Sequence, residues 1–120
     1  MSDPVVHFEI LGRDGKQLRE FYSKLFDWEI DANNPMNYGL VKPPQEGALG
    51  GGIGDNESGK SPYVTIYMGC DNLQEKLDMA VKLGGKVETP PTTIPGMVTF
   101  ATFRDPSGNL LGLVANQRPE

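Results

Sequence analysis

Along the chain the apolar residues change their spacing several times, and each change marks an element. "VVHFEIL" (5–11) is a short β-branched and aromatic run that reads as a strand. After the turn residues Gly12, Asp14 and Gly15, the apolar positions Leu18, Phe21, Tyr22 and Leu25 recur at i, i+3, i+4 and i+7, which predicts a helix with that row in the core. Trp28 and Ile30, then "YGLVKP" (38–43), read as strands separated by Asn33-Asn34-Pro35, and "ALGGGIG" (48–54) as a strand loosened by glycine. Glycine, proline and small polar residues are densest between Pro43 and Pro62, which places a linker at about residues 55–61.

The same order then recurs. "YVTIYMG" (63–69) is strand-like, Leu73, Leu77, Ala80 and Val81 are spaced for a helix ending at Gly84-Gly85, and strands are predicted around Val87–Thr89, Met97–Phe103 and Leu110–Ala115. Asp105-Pro106-Ser107-Gly108 suits a type I turn between the last two. Sliding one half over the other by 58 positions lays His7 on Thr65, Leu25 on Leu83 and Phe26 on Gly84, with few identities but matching element types. Modules too small to bury a sheet face alone must bury it against helices or each other. The expected fold is therefore α+β: one domain over residues 1–120, with module one at about 4–54 and module two at about 62–116. The two tandem βαβββ modules would form a curved mixed sheet around a cleft, helices outside.

Composition narrows the chemistry. A 13.1 kDa chain with 38% apolar residues is long enough for one core. Eleven Lys+Arg against sixteen Asp+Glu give a net charge of -5, which disfavours a phosphate backbone as partner. No stretch approaches the roughly 18–20 apolar residues of a membrane span, and no basic-then-apolar leader opens the sequence. A cytoplasmic protein is expected. Cys70 is the only cysteine, so it reads as a buried thiol rather than half of a disulfide or a zinc cluster.

Several motifs then carry a resemblance. His7 with Asp14 seven positions on, "FY" at 21–22, "FDW" at 26–28, "LGGKV" at 83–87 and "FRDPSGNLLGL" at 103–113 together are similar to the vicinal oxygen chelate superfamily. That group holds glyoxalase I, extradiol dioxygenases, fosfomycin resistance enzymes and bleomycin-binding proteins, and the likeness spans about residues 4–116. It implies a divalent metal in the cleft, held by side chains from the first and last strand of each module, commonly histidine and glutamate. His7 matches the first such position. Its counterparts here are Thr65 and Gly112, and "ALGGGIG" offers no carboxylate, amide or imidazole, so three of four implied ligands are missing. A catalytic zinc needs about three protein ligands, and a non-haem iron triad wants two histidines where this chain has one. No resident metal is expected; were there one, it would be a divalent cation held through His7.

Residues i and i+2 of a strand face the same way about 7 Å apart, so His7 and Glu9 are expected to look into the cleft together as candidate catalytic residues. The carboxylate can fix the imidazole's tautomer, raise its pKa, or join it in holding a polar ligand group. The plainer alternative packs His7 against a strand and pairs Glu9 with a lysine. By the same alternation Thr65 and Tyr67, with Leu110 and Gly112 on the last strand, form a candidate ligand-binding wall. An imidazole, a phenol, aliphatics and glycines suit a flat or aromatic molecule. Gly50–Gly52 either leave volume for such a ligand or serve strand bending or close sheet packing. Trp28 is expected to seal the helix against the sheet, and Arg104 and Asp105 to be an ion pair or solvated charges at a turn. The function these readings favour is metal-free binding of a small, partly aromatic organic molecule. The alternatives are a metal-dependent lyase or dioxygenase of the same superfamily and metal-free acid–base catalysis by His7 with Glu9. A homodimer is implied by the resemblance.

Overall fold

The computed structural model describes residues 2–57 and 59–116. They form two compact units, one holding His7–Thr65 and the other Ile66 onward together with the residues before His7. The elements of the first βαβββ module are β1 (Val5–Gly12), α1 (Gly15–Phe26), β2 (Ile30–Asp31), β3 (Gly39–Val41) and β4 (Gly51–Asp55). The second repeats them as β5 (Tyr63–Cys70), α2 (Leu73–Lys82), β6 (Lys86–Ile94), β7 (Val98–Arg104) and β8 (Leu110–Ala115). Both have one topology. The strands lie in the order β2-β3-β4-β1 and, in the second module, β5-β8-β7-β6, with the first strand parallel to the last and the other neighbours antiparallel.

The 58-residue offset has a structural cause. β1 and β5 start at Val5 and Tyr63, and α1 and α2 at Gly15 and Leu73, each pair 58 apart. Asp14 and Asn72, the same distance apart, are the two helix N-caps: Asp14 Oδ1 accepts from the Gln17 N–H at 3.1 Å and Asn72 Oδ1 from the Glu75 N–H at 3.1 Å. The acidic or amide residue seven positions after the strand's His7 or Thr65 therefore starts a helix. α1 stops at Asp27, which takes a left-handed φ of 58° where a glycine is usual. α2 ends in a Schellman motif, the Gly85 N–H donating to Ala80 O at 2.8 Å and the Gly84 N–H to Val81 O at 3.1 Å, with Gly84 at φ 106°.

In the first unit Phe8 lies over Gly51 and meets Trp28 at 5.5 Å between ring centroids, and Trp28 continues to Tyr22 and Phe26 at 5.9 and 5.0 Å. Trp28 thus closes α1 onto the sheet, as its position implied. The helix row is less buried than the periodicity predicts. Phe21 and Leu25 stay 56% and 58% exposed, because β2 and β3, at two and three residues, put little sheet beneath the end of α1. Val81 is likewise exposed on the last turn of α2, whereas Leu73 and Leu77 are buried with Cys70, Ala101 and Leu113.

Two strands differ from the sequence reading. β4 begins at Gly51 rather than Ala48, and β6 runs on to Ile94 through Pro90 and Pro91. β6 stands at the end of its strand order and pairs with β7 through two register shifts, so the missing proline N–H groups cost no ladder bond on its outer side. The β7–β8 turn closes as its residues dictate. The Gly108 N–H donates to Asp105 O at 2.9 Å, and the Asp105 carboxylate accepts from the Ser107 and Asn109 N–H groups and from Asn109 Nδ2, all at 2.9 Å. These bonds, the Asn109 side chain first, hold the Asp105 carboxyl below the usual carboxylate range.

Candidate functional site

The face of β1 that carries Phe8 packs toward Trp28, so the alternation of the strand turns His7, Glu9 and Leu11 to the opposite face. On that face β4 presents Gly52 and Gly54, register partners of Glu9 and Leu11. The expected pairing of His7 and Glu9 on one face is observed, and a third residue joins them. Tyr38, just before β3, places its hydroxyl 2.9 Å from His7 Nε2 and donates it to Glu9 Oε2 at 2.8 Å. The imidazole and phenol rings lie 23° from parallel at 6.2 Å.

The backbone around Tyr38 is tied down. Asn34 Oδ1 accepts from the Met36 and Tyr38 N–H groups at 3.2 and 3.1 Å, and Asn34 Nδ2 donates to Tyr38 O at 2.6 Å. Asn37 takes a left-handed φ of 51°, and its carbonyl accepts from Arg19 at 3.1 Å. Gly52 supplies the space: a Cβ there would fall 1.7 Å from the Tyr38 hydroxyl oxygen, although its backbone is in a region open to any residue. At Gly51 the Cβ would fall 2.4 Å from the Phe8 ring. Aromatic rings of the chain itself thus occupy the volume above Gly51 and Gly52.

Glu9 is only 9% exposed and His7 half-buried. Burial holds the His7 imidazole below the ordinary histidine range, so at neutral pH the ring is uncharged. Glu9 therefore does not act here by raising the imidazole above its usual range. It reaches the ring through the Tyr38 hydroxyl.

The residues do not fit a metal. Among the described residues no three His, Cys, Asp or Glu side chains gather in a way that would hold an ion. His7 and Glu9 supply two such donors, short of the three that a catalytic zinc needs. In the second unit Tyr67 is 8% exposed and its ring lies over Gly112, its register partner on β8, so these two candidate wall residues are one packed pair. Leu110 is half-buried on the same strand, two positions from Gly112, and Thr65, in the first unit, is 4% exposed. Thr102, which the sequence reading did not single out, pairs with Gly112 on the same row, and its buried Oγ1 has no hydrogen-bond partner among the described residues. Cys70 is buried in the α2 core, and burial pushes its thiol up, which makes it a poor nucleophile. Arg104 pairs with Glu88 at 3.2 Å. An open cavity of about 460 Å³ in the first unit, lined by Ile10, Gly12, Leu18, Tyr22, Tyr63 and Val64 among others, includes none of His7, Glu9 and Tyr38.

Tyr38 was missed because the sequence showed it only as the first residue of an apolar run. A signal did exist: glycines in a strand that need no unusual φ mark a ring lying across them.

Two βαβββ modules, with a polar cluster on the face of β1 turned away from Trp28, define a class of small α+β proteins. The family model for the Glyoxalase/Bleomycin resistance protein/Dioxygenase superfamily matches residues 5–113, and the chain belongs to that superfamily. No curated protein matches it in sequence. Among solved structures it is similar to a hypothetical protein from Bacillus halodurans C-125, with a TM-score of 0.72 and 13% identity over 100% of this chain and 99% of that one. Methylmalonyl-CoA epimerase from Mycobacterium tuberculosis aligns with a TM-score of 0.65 and 16% identity over 95% and 88% of the two chains. The Streptomyces coelicolor methylmalonyl-CoA epimerase in complex with 2-nitronate-propionyl-CoA aligns with a TM-score of 0.63 and 15% identity over 95% and 97%. At these identities the likeness is one of fold.

Proposed function

We propose that this chain binds a small, partly aromatic organic molecule on the face of β1 turned away from Trp28, with no resident metal. The observation that carries the reading is the connected His7–Tyr38–Glu9 group, two near-parallel rings and a carboxylate on the face of β1 turned away from Trp28. Such a surface offers a ring to stack on and a neutral imidazole to hydrogen-bond. Thr65 in the first unit and, each unit taken by itself, Tyr67, Leu110 and Gly112 in the second are proposed as ligand-contacting positions. That a relative of the same fold carries a propionyl-CoA derivative supports a small organic ligand. A homodimer and a cytoplasmic location are part of the same proposal. Sedimentation velocity tests the first, and no helix among the described residues is long and apolar enough to cross a membrane.

The test uses the single histidine. His7 gives the only imidazole proton resonances in the chain, so titration with benzoate, phenylpyruvate and propionyl-CoA reports directly on the face. A saturable shift with at least one probe, abolished in Tyr38→Ala, is expected. Unmoved imidazole signals with all three would remove the proposal's support. Trp28 emission is a poor reporter, because that ring lies toward α1.

A further inference from the structure

The apolar row of α1 is only partly covered by the chain's own sheet. Leu18, Phe21, Tyr22 and Leu25 share one face of the helix, yet Leu18 and Tyr22 are half-buried while Phe21 and Leu25 stay 56% and 58% exposed. Phe21 stands edge-on to Tyr22 at 5.0 Å between ring centroids, and Tyr22 stacks at 6.2 Å on Phe26, itself 53% exposed. Phe21, Leu25 and Phe26 form a ridge of apolar surface. Beside it lies the open cavity of about 460 Å³, walled by Leu18 and Tyr22 on the helix and by Ile10 and Val64 on the strands, with Val64 69% exposed. Ridge and hollow thus share a wall, and every residue in both belongs to the unit His7–Thr65.

The exposed apolar area is large for a monomer. Aromatic rings present about 150–250 Å² each, so at these exposures Phe21 and Phe26 leave about 160–270 Å² uncovered, and Leu25 with Val64 brings the total to roughly 400 Å². Homodimer interfaces are about 65% apolar, so this surface with a polar rim corresponds to about 600 Å² per partner, the lower edge of the roughly 600–1,000 Å² that stable interfaces use. A two-fold contact is also self-complementary, because residue i meets j and j meets i. A ridge beside a hollow on one surface satisfies that condition: a half-turn about an axis between them lays each ridge in the other copy's hollow. We propose that this face of α1 is the interface of a homodimer, with Phe21 and Leu25 of each protomer seated in the cavity that Leu18, Tyr22 and Val64 wall in the other. The interface rests on the homodimer reading above and names the surface that forms it. Ile10 alternates with Phe8 toward α1, whereas His7 and Glu9 face the other way, so the interface and the proposed ligand position lie on opposite faces of β1.

Sedimentation equilibrium of the full chain, from low micromolar to near-millimolar concentration, tests the interface. Wild type is expected as a dimer in reversible equilibrium with monomer. Phe21→Glu and Val64→Lys each place a charge in both halves of the two-fold contact and should raise the dimer Kd by about 100-fold or more. Mixed in equal amounts, the two variants should recover most of that loss as a heterodimer, since one half of the contact is then wild-type and the other pairs opposite charges. Val81→Glu, at an apolar position 51% exposed in the other unit, should leave the Kd unchanged. Phe21 and Val64 are more than half exposed, so neither substitution removes core packing; circular dichroism checks the fold, and Leu25→Glu replaces Phe21→Glu if that variant does not fold. A wild type that stays monomeric overturns the interface and the homodimer together. A dimer that both variants leave intact, variants that do not recover on mixing, or assembly beyond two copies overturns the interface alone.

Discussion

Gly52→Ala isolates the packing that builds the site. The new Cβ would sit 1.7 Å from the Tyr38 hydroxyl oxygen and 1.9 Å from the ring carbon bearing it, and the group that must yield is the far end of a side chain. The phenol can swing off the strand, so the cost is the loss of what it held. A bond to a charged carboxylate is worth about 1.5–3 kcal/mol and a neutral one about 0.5–1.5 kcal/mol, which together give roughly 2–4.5 kcal/mol. With an unfolding entropy near 2.1 cal/mol/K per residue, that lowers the midpoint of a chain this long by about 8–18 °C. Urea and thermal denaturation of wild type, Gly52→Ala, Tyr38→Ala and the double variant measure it. In the Tyr38→Ala background the alanine meets no phenol, so Gly52→Ala should be close to neutral, giving a coupling energy of about 2 kcal/mol or more. A Gly52→Ala variant within about 0.5 kcal/mol of wild type, or one equally damaged without Tyr38, refutes the claim that this glycine exists for the phenol.

Two further predictions rest on other atoms. Thr102→Val keeps the shape of a 7% exposed side chain and removes a hydroxyl with no hydrogen-bond partner among the described residues. It should raise stability by about 1 kcal/mol, measured as a higher urea midpoint at unchanged slope, and a loss of that size would show that Oγ1 is bonded. Burial sets the folded-state pKa of His7 below its ordinary 6.5, so the unfolded chain binds this proton first. The His7 contribution is therefore complete above about pH 6.5 and is lost as pH falls through the folded value. His7→Gln should flatten the pH dependence of unfolding in that window, and an unchanged slope would contradict it.

Much of the fold was legible because it is written in local chemistry. Period changes located both helices and most strands, and the turn at Asp105–Gly108 and the Gly84-Gly85 stop follow from the φ values and side-chain acceptors those residues bring. What failed was nonlocal. Phe21 and Leu25 have a core-like spacing, yet their burial depends on how much sheet lies under the last helical turn, which two very short strands decide. The strand expected around Val87–Thr89 runs on through Pro90 and Pro91, which the place of β6 at the end of its sheet order makes tolerable. At the site, the facing of His7 and Glu9 followed from alternation, whereas Tyr38, 31 residues from His7, enters through a loop clamped by Asn34. The glycine run held the clue, since its absent side chains are the imprint of the rings above it.

The central claim is that His7 Nε2 is committed to a phenol and not to an ion. Elemental analysis of wild type and His7→Ala, purified without chelator, tests it most directly. The account predicts no stoichiometric nickel, zinc, iron or manganese in the wild type; one equivalent per chain that disappears in His7→Ala would contradict it.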